Sequence, residues 1–466
     1  MKVGQLQPKS WPDRVKALVS EPAFKFALGA YLVARVALTA WSLVILLLVP
    51  VTIQNLDLSG QPVIAVFVQK TGERYVYSRQ MDSAVLTFRA DQPGYVSDVQ
   101  TGSVWSLRDG RAGSGVYSGR VLGASAYSAE DVFPYRGVAP ATSPILGAWQ
   151  RFDANWYLAI AGRGYAADGS TVYLPLFPFL IRVVSALVGD PLFAALLVSN
   201  LALIGALVMH YRLSEKLFDA GTARRTVAYL LVFPTGFFLL GAYTESLFLF
   251  LALGSFVFAL RERWFLAALF GALAALTRLQ GVLLLAPLAY LWWRWTNGIG
   301  REQSRARKLV PGMALLMIPL ATATFLASTN VSLLSTLEDQ WQARYAAPWE
   351  TMAASVTWLV NGRGSLVDVL NLAAVAIFGL MIVGVWRQMR TEYALYALAL
   401  VLLPLFRLAP TQPLVSTTRY VLPVFPVFIL WGAWGKNAWV NRAIVYVSLP
   451  LQLYLSAQFV LWGWVG

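Results

Sequence analysis

FPTGFFLLGAYTESLFLFLALGSFVFALRERWFLAALFGALAALTRLQGVLLLAPL occupies residues 233–288. Its apolar runs are cut by three polar groups: Tyr243-Thr244-Glu245-Ser246, Arg261-Glu262-Arg263 and Thr277-Arg278-Leu279-Gln280-Gly281. Apolar stretches separated by such short polar turns predict membrane helices that double back on one another. Most of the chain reads the same way. Of its 466 residues 58% are hydrophobic and 13% charged, too few charges to cover a soluble protein of this length. There is no cysteine, so disulfides and thiolate chemistry are excluded. One histidine, His210, cannot build a histidine metal site.

The net charge of +14 is distributed as membrane topology, and no nucleic-acid partner is expected. Residues 1–25 carry Lys2, Lys9, Arg14, Lys16 and Lys25 and read as a cytoplasmic N-terminal segment. The first span, 26–51, is too long for a signal-peptide core. Ten further runs lie near 191–211, 226–242, 244–260, 264–277, 280–296, 309–328, 365–386, 392–408, 419–435 and 441–464. The fold expected is therefore an all-α polytopic membrane protein of about 11 transmembrane helices, spans 2–11 filling 191–466. Threaded this way, the inner segments hold 20 Lys and Arg and the short outer loops five, as the positive-inside rule requires. This threading puts 52–172 outside. YLPLFPFLIRVVSALVG (173–189) reads as a helix lying in the outer interface with Arg182 snorkelling to water.

Within the first outer loop, 52–140 changes character. PVIAVFVQ, ERYVYS, SAVLTFRA and GVYSGRVL are short β-type runs, separated by Thr71-Gly72, Pro93-Gly94 and Asp109-Gly110. They predict an inserted external β-rich domain of six to eight strands, either a structural spacer or a recognition module. Residues 141–190 then form an external loop with interfacial helices, and this loop contains RFDANWYLAIAGRGY (151–165).

Few acids fall near the outer face, and Asp153 stands out. On a continuous helix Trp149, Asp153, Trp156, Tyr157 and Ile160 share one face, which suits a surface lying at lipid-headgroup depth. Asp153 is equally placed to cap the helix that follows. Glu245 in the polar island 243–246 is a second candidate, as a substrate contact or as a cap. Arg278, Arg344 and Arg419 supply guanidiniums on the same side, and the planar fork suits phosphate. With no nucleotide-binding loop and no metal cluster, a carboxylate plus arginines fits transfer from a lipid-phosphate-activated donor.

RFDANWYLAIAGRGY resembles the W-D-x-x-W-Y-x-x-I-A-x-x-G-Y block of the GPI mannosyltransferase II (PIG-V) family and its prokaryotic relatives, with Phe152 in place of the usual Trp. LPLFPFLIRVVSALVGDPLFAALLVSN, the run 233–288, QWQARYAAPWE and STTRYVLPVFPVFIL resemble later blocks in the same order. The resemblance spans 149–435 and leaves the β-rich stretch uncovered. It implies a GT-C type glycosyltransferase that moves a sugar, typically mannose, from a polyprenyl-phosphate donor to an acceptor hydroxyl of a glycolipid, glycan or protein. Transfer would be inverting, with no metal or other cofactor, at the outer face of a prokaryotic plasma membrane or the lumenal face of an ER membrane. Asp153 takes the position of the catalytic acid. Arg278, Arg344 and Arg419 are assigned to the donor phosphate, and Trp156, Tyr157, Tyr243, Glu245, Gln340 and Trp341 to substrate. A lipid or solute transporter and a noncatalytic membrane assembly protein are the competing readings.

Overall fold

The computed structural model describes residues 20–298, 305–329 and 343–465. They fall into two compact units. One comprises the described residues within 20–38 and 160–455, with Val465; the other comprises 39–159 and 456–464.

The larger unit is helical. Its long members are α1 (Pro22–Leu48), which it shares with the other unit, and α4 (Pro191–Leu217). Between them in the chain lie α2 (Asp153–Arg163), also shared, and α3 (Leu176–Val188). There follow α5 (Ala220–Val232), α6 (Glu245–Ala259), α7 (Trp264–Ala275), α8 (Leu285–Gly298), α9 (Arg305–Leu315) and α10 (Met317–Thr329). The series ends with α11 (Pro348–Val360), α12 (Leu366–Gln388), α13 (Thr391–Leu402), α14 (Thr417–Tyr420), α15 (Phe425–Trp434) and α16 (Ala438–Val460).

By length and composition, five described stretches can cross a membrane: α1, α4, Leu309–Thr329, α12 and α16. With five shorter apolar helices beside them, they make the chain an integral membrane protein. The expected count of about eleven spans is not reached on length, and the reason is local. The run 226–242 breaks after α5 at Phe233-Pro234, where proline removes a donor, and resumes as the 3-10 turn Gly236–Leu239. Likewise 280–296 opens as the 3-10 segment Leu279–Leu284, and 392–408 ends in the 3-10 turn Leu403–Phe406.

Small residues let these helices approach closely, the usual device where lipid supplies no hydrophobic drive between helices. On α15, a Cβ added at Gly432 would lie 2.8 Å from the Thr222 carbonyl oxygen and 3.0 Å from the Thr226 nitrogen on α5. Arg225 of α5 donates to the Gly432 carbonyl at 2.6 Å, fixing the same contact. Arg182 is exposed on α3. Its guanidinium donates to the Ala161 and Gly162 carbonyls at 2.7 and 3.0 Å, because the last turn of α2 leaves those acceptors without helical partners.

The smaller unit holds nine short strands. β1 (Val51–Leu58), β2 (Gln61–Val68) and β3 (Arg74–Ser78) form an antiparallel sheet in that order. β4 (Gln80–Met81) pairs with β5 (Ala84–Val85), and β6 (Phe88–Ala90), β7 (Tyr95–Asp98), β8 (Val104–Ser106) and β9 (Ala112–Ser114) form a four-stranded sheet. Leu58 pairs with Gln61 across Ser59-Gly60, both at positive φ, as a two-residue hairpin demands. GVYSGRVL forms no strand, only an isolated bridge between Val121 and Arg111. Period-two geometry gives β2 two buried faces. Ile64 and Val66 pack with Phe88, Val96 and Trp105, whereas Ala65 and Phe67 pack with Phe133, Tyr135 and Trp462.

Gly432→Ala is expected to lower the stability of the detergent-solubilised protein by about 1–3 kcal/mol, since backbone atoms cannot yield to the added methyl. Gly379→Ala on α12, where a Cβ meets nothing within 4 Å, serves as the control. Equal melting temperatures for the two variants would refute the close-contact argument.

Candidate active site

Asp153 is half-buried at the first position of α2. There the free N–H groups and the helix dipole favour a carboxylate. The expected continuous face from Trp149 to Ile160 is not formed. Residues 148–152 are non-helical, and Phe152 sits at φ +48°. For a bulky residue this left-handed backbone costs of order 1–3 kcal/mol and ends any helix running through it. Nor does that face lie open to a headgroup layer: Trp149, Tyr157 and Ile160 are all buried in protein. Trp156 is half-buried beneath Arg136, whose guanidinium lies 4.4 Å from the ring centroid. One residue before Trp156, buried Asn155 donates to the Pro134 carbonyl at 2.9 Å. Arg136 and Asn155 escaped sequence reading. Arg136 lies 17 residues upstream of Asp153, and only the fold reveals that it stacks on Trp156.

The second constellation lies in the helical unit, where four of the expected residues, Tyr243, Glu245, Arg278 and Arg419, meet. Glu245 opens α6 and is 1% exposed. Its Oε1 accepts from Arg278 Nη1 at 2.6 Å and also from Arg419 Nε. Both guanidiniums are buried as well, with side-chain exposures of 11% and 6%. Arg419 also lies over the rings of Phe238 and Tyr243, 4.9 and 4.7 Å from their centroids. Arg278 lies over Tyr420 and donates to Thr244 Oγ1 at 3.0 Å and Gln280 Oε1 at 3.1 Å. Glu245 Oε2 is buried and has no hydrogen-bond partner among the described residues. One carboxylate and two guanidiniums leave the cluster with a single net positive charge.

Each member is held by its local backbone. Arg278 follows α7, and the next turn folds back so tightly that a Cβ at Gly281 would come within 2.5 Å of Ala275 Cα. TRLQG therefore needs its glycine for close approach. Arg419 rides on α14, which begins after Ser416 at φ +66°. That short helix is pinned by Asn371 Oδ1, which accepts from Thr418 N and Oγ1 at 2.9 and 3.1 Å, and by Thr235 Oγ1 donating to the Thr418 carbonyl at 2.8 Å. Arg35 of α1, another residue the sequence did not single out, donates to the Leu240 carbonyl at 2.8 Å in the turn before Tyr243.

Arg344 does not join this cluster. It is exposed on the two-residue strand β10 (Arg344–Tyr345), paired with Glu350 at 3.2 Å. β10 pairs with β11 (Arg407–Leu408), and Arg407 Nη1 lies 3.5 Å from the Tyr420 hydroxyl. Gln340 and Trp341 lie outside the described residues. Among the described residues no group of three His, Asp or Glu side chains gathers as metal ligands.

The class of protein comes from comparison with known families. Residues 125–331 match the model of the mannosyltransferase (PIG-V) family, a segment that contains Asp153, Glu245 and Arg278. The match bears out the resemblance read from the sequence and makes the chain a glycosyltransferase of mannosyltransferase type. Among solved structures it is similar to ArnT from Cupriavidus metallidurans bound to undecaprenyl phosphate, with 15% identity and a TM-score of 0.41 over 66% of this chain and 71% of that one. It is also similar to the Archaeoglobus fulgidus oligosaccharyltransferase in complex with zinc and sulfate, with 12% identity and a TM-score of 0.34 over 67% of this chain and 48% of that one. The chain thus spans about half the length of the oligosaccharyltransferase. No curated protein matches the sequence.

Neutralising Glu245 as Glu245→Gln strips the charge that compensates two buried guanidiniums. A loss of about 3–5 kcal/mol in stability is expected. Arg344→Gln, which breaks only an exposed pair, should cost no more than about 1 kcal/mol. Thermal melting of the two variants side by side checks the contrast.

Proposed function

We propose that the protein transfers mannose from a polyprenyl-phosphate donor to an acceptor hydroxyl at the outer membrane face. The observation that carries this reading is the mannosyltransferase (PIG-V) match across 125–331, which includes Asp153 and the polar turns bearing Glu245 and Arg278. Asp153 acts as general base. As the acceptor oxygen bonds to the anomeric carbon, its proton passes to the Asp153 carboxylate and the bond from that carbon to the phosphate oxygen breaks. The polyprenyl phosphate leaves with the electron pair, and attack opposite the leaving group inverts the anomeric centre. No metal is needed if cationic side chains stabilise the departing phosphate.

Arg278 and Arg419 are assigned to that phosphate. Their shared carboxylate lowers the cost of burying them and leaves the net positive charge an anion requires. The partnerless Oε2 of Glu245 suits acceptance of a hydrogen bond from a substrate hydroxyl. Arg344, exposed and paired with Glu350, is a weaker candidate for the phosphate than the other two. Trp156, Tyr157 and Tyr243 are proposed as apolar walls for the substrates. The acceptor is a glycolipid, glycan or protein hydroxyl.

The test uses the full chain in nanodiscs with radiolabelled polyprenyl-phosphate mannose and a membrane extract as the acceptor source. Asp153→Asn is expected to cut transfer by about 10²–10⁴-fold while leaving the melting temperature unchanged. Wild-type transfer by a folded Asp153→Asn protein would overturn the base assignment. Because the chain has no cysteine, single cysteines at the exposed positions Ala167 and Glu262 report sidedness: the first should react with an impermeant maleimide from outside and the second should not.

A further inference from the structure

Two non-glycine residues in the smaller unit share an unusual feature and touch each other. Phe152 has φ +48° and Trp462 has φ +62°. Their rings meet edge to face with centroids 5.4 Å apart. Phe152 is also flanked by Phe459 at 5.9 Å and Trp464 at 5.1 Å. The neighbouring side chain makes a second tie to the same segment. Arg151 is 3% exposed, its guanidinium lies 4.8 Å from the Trp462 ring centroid, and its Nε donates to the Val460 carbonyl at 2.9 Å. Its Nη1 donates to the Gly147 and Gln150 carbonyls at 2.6 and 3.1 Å, closing the turn that leads into α2. Trp462 is in turn fixed from the strand side: it packs against Phe67, Phe133 and Tyr135, and its carbonyl accepts from Gln54 at 2.8 Å.

Strained backbone of this kind persists only where its surroundings over-determine it. Here the ties from segment 459–464 fall on Phe152 and Arg151, the two residues before Asp153, across more than 300 residues of sequence. We propose that segment 459–464, acting through Trp462 on Phe152 and through Val460 on Arg151, is the positioning device that sets the direction of the Asp153 carboxylate. Arg151, Phe152 and Trp462 are positioning residues with no contact to substrate assigned. The inference rests on the reading of Asp153 as the base. Sequence comparison does not supply it, because 459–464 lies beyond the family-matched segment 125–331.

A misdirected base slows the chemical step without weakening donor binding. Trp462→Ala is expected to lower kcat by about 10–100-fold, with KM for polyprenyl-phosphate mannose changed by less than about twofold. Phe152→Gly accepts the positive φ but removes the ring, and should show the same split. Phe152→Trp, which restores an aromatic ring, should keep kcat near wild type. Hydrogen exchange of the full-length variants supplies a readout independent of turnover: amides 153–158 should exchange faster in Trp462→Phe and Arg151→Lys, with α5 and α6 unchanged. Those two mild variants keep the test open if Trp462→Ala does not fold. The proposal is overturned if Asp153→Asn is inactive yet Trp462→Ala and Phe152→Gly turn over at the wild-type rate, or if exchange at 153–158 is unaltered in both mild variants. Full transfer by Asp153→Asn would instead overturn the base assignment, with the exchange result still reporting on the clamp.

Discussion

A carboxylate sealed among apolar helices must be compensated, and in the helical unit that requirement organises the surroundings of Glu245. Leaving such a group ionised and alone is among the costliest choices a membrane protein can make. Glu245 is matched by Arg278 from the turn after α7 and Arg419 from α14, so three separate chain segments must arrive together. Replacing an ionic cluster of this kind by well-packed apolar residues is often neutral or stabilising, so its presence is poor evidence of a device for stability alone. Among the described residues its two arginines outnumber its one glutamate, which is the balance the proposed donor phosphate would use.

The broken helices around this cluster follow from the same requirement. A continuous span would carry residues 236–245 past the point where the arginines stand, whereas the break at Phe233-Pro234 and the 3-10 turn that follows bring Glu245 to the start of α6. Irregular backbone at this depth is tolerated only where its polar groups find partners. They do: Ser246 Oγ donates to the Leu239 carbonyl at 2.6 Å, and Leu240 accepts from Arg35 and Asn200. Gly281 performs the matching task after α7, where only a missing side chain lets the turn close onto Ala275.

This explains what could be read from the residues alone and what could not. Apolar periodicity revealed a membrane protein, and the polar islands marked where Glu245 and Arg278 would stand, because both signals are local. Their pairing was hidden, since Arg419 lies 174 residues from Glu245 and nothing in either neighbourhood points to the other. The acceptors of Arg182 were hidden in the same way, since Ala161 and Gly162 are some twenty residues upstream. The helical face drawn from Trp149 to Ile160 assumed an unbroken helix. Positive φ at Phe152 breaks it, and a phenylalanine in sequence gives no hint of a conformation that glycine or asparagine would advertise.

Phe152 sets the proposed positioning of Asp153 beside its helix-capping reading. Capping asks only for an acceptor at the first turn, and any chain entering from an extended conformation can provide it at no conformational cost. In this protein the entry is strained, and aromatic rings together with a buried guanidinium are spent on holding it so. A structure that needed nothing more than a capped helix would have relaxed Phe152 into the extended region and left Arg151 to solvent. In the proposed device the retained strain serves the orientation of the first helical residue rather than the stability of the helix, and orientation matters chiefly for a side chain that must meet another molecule.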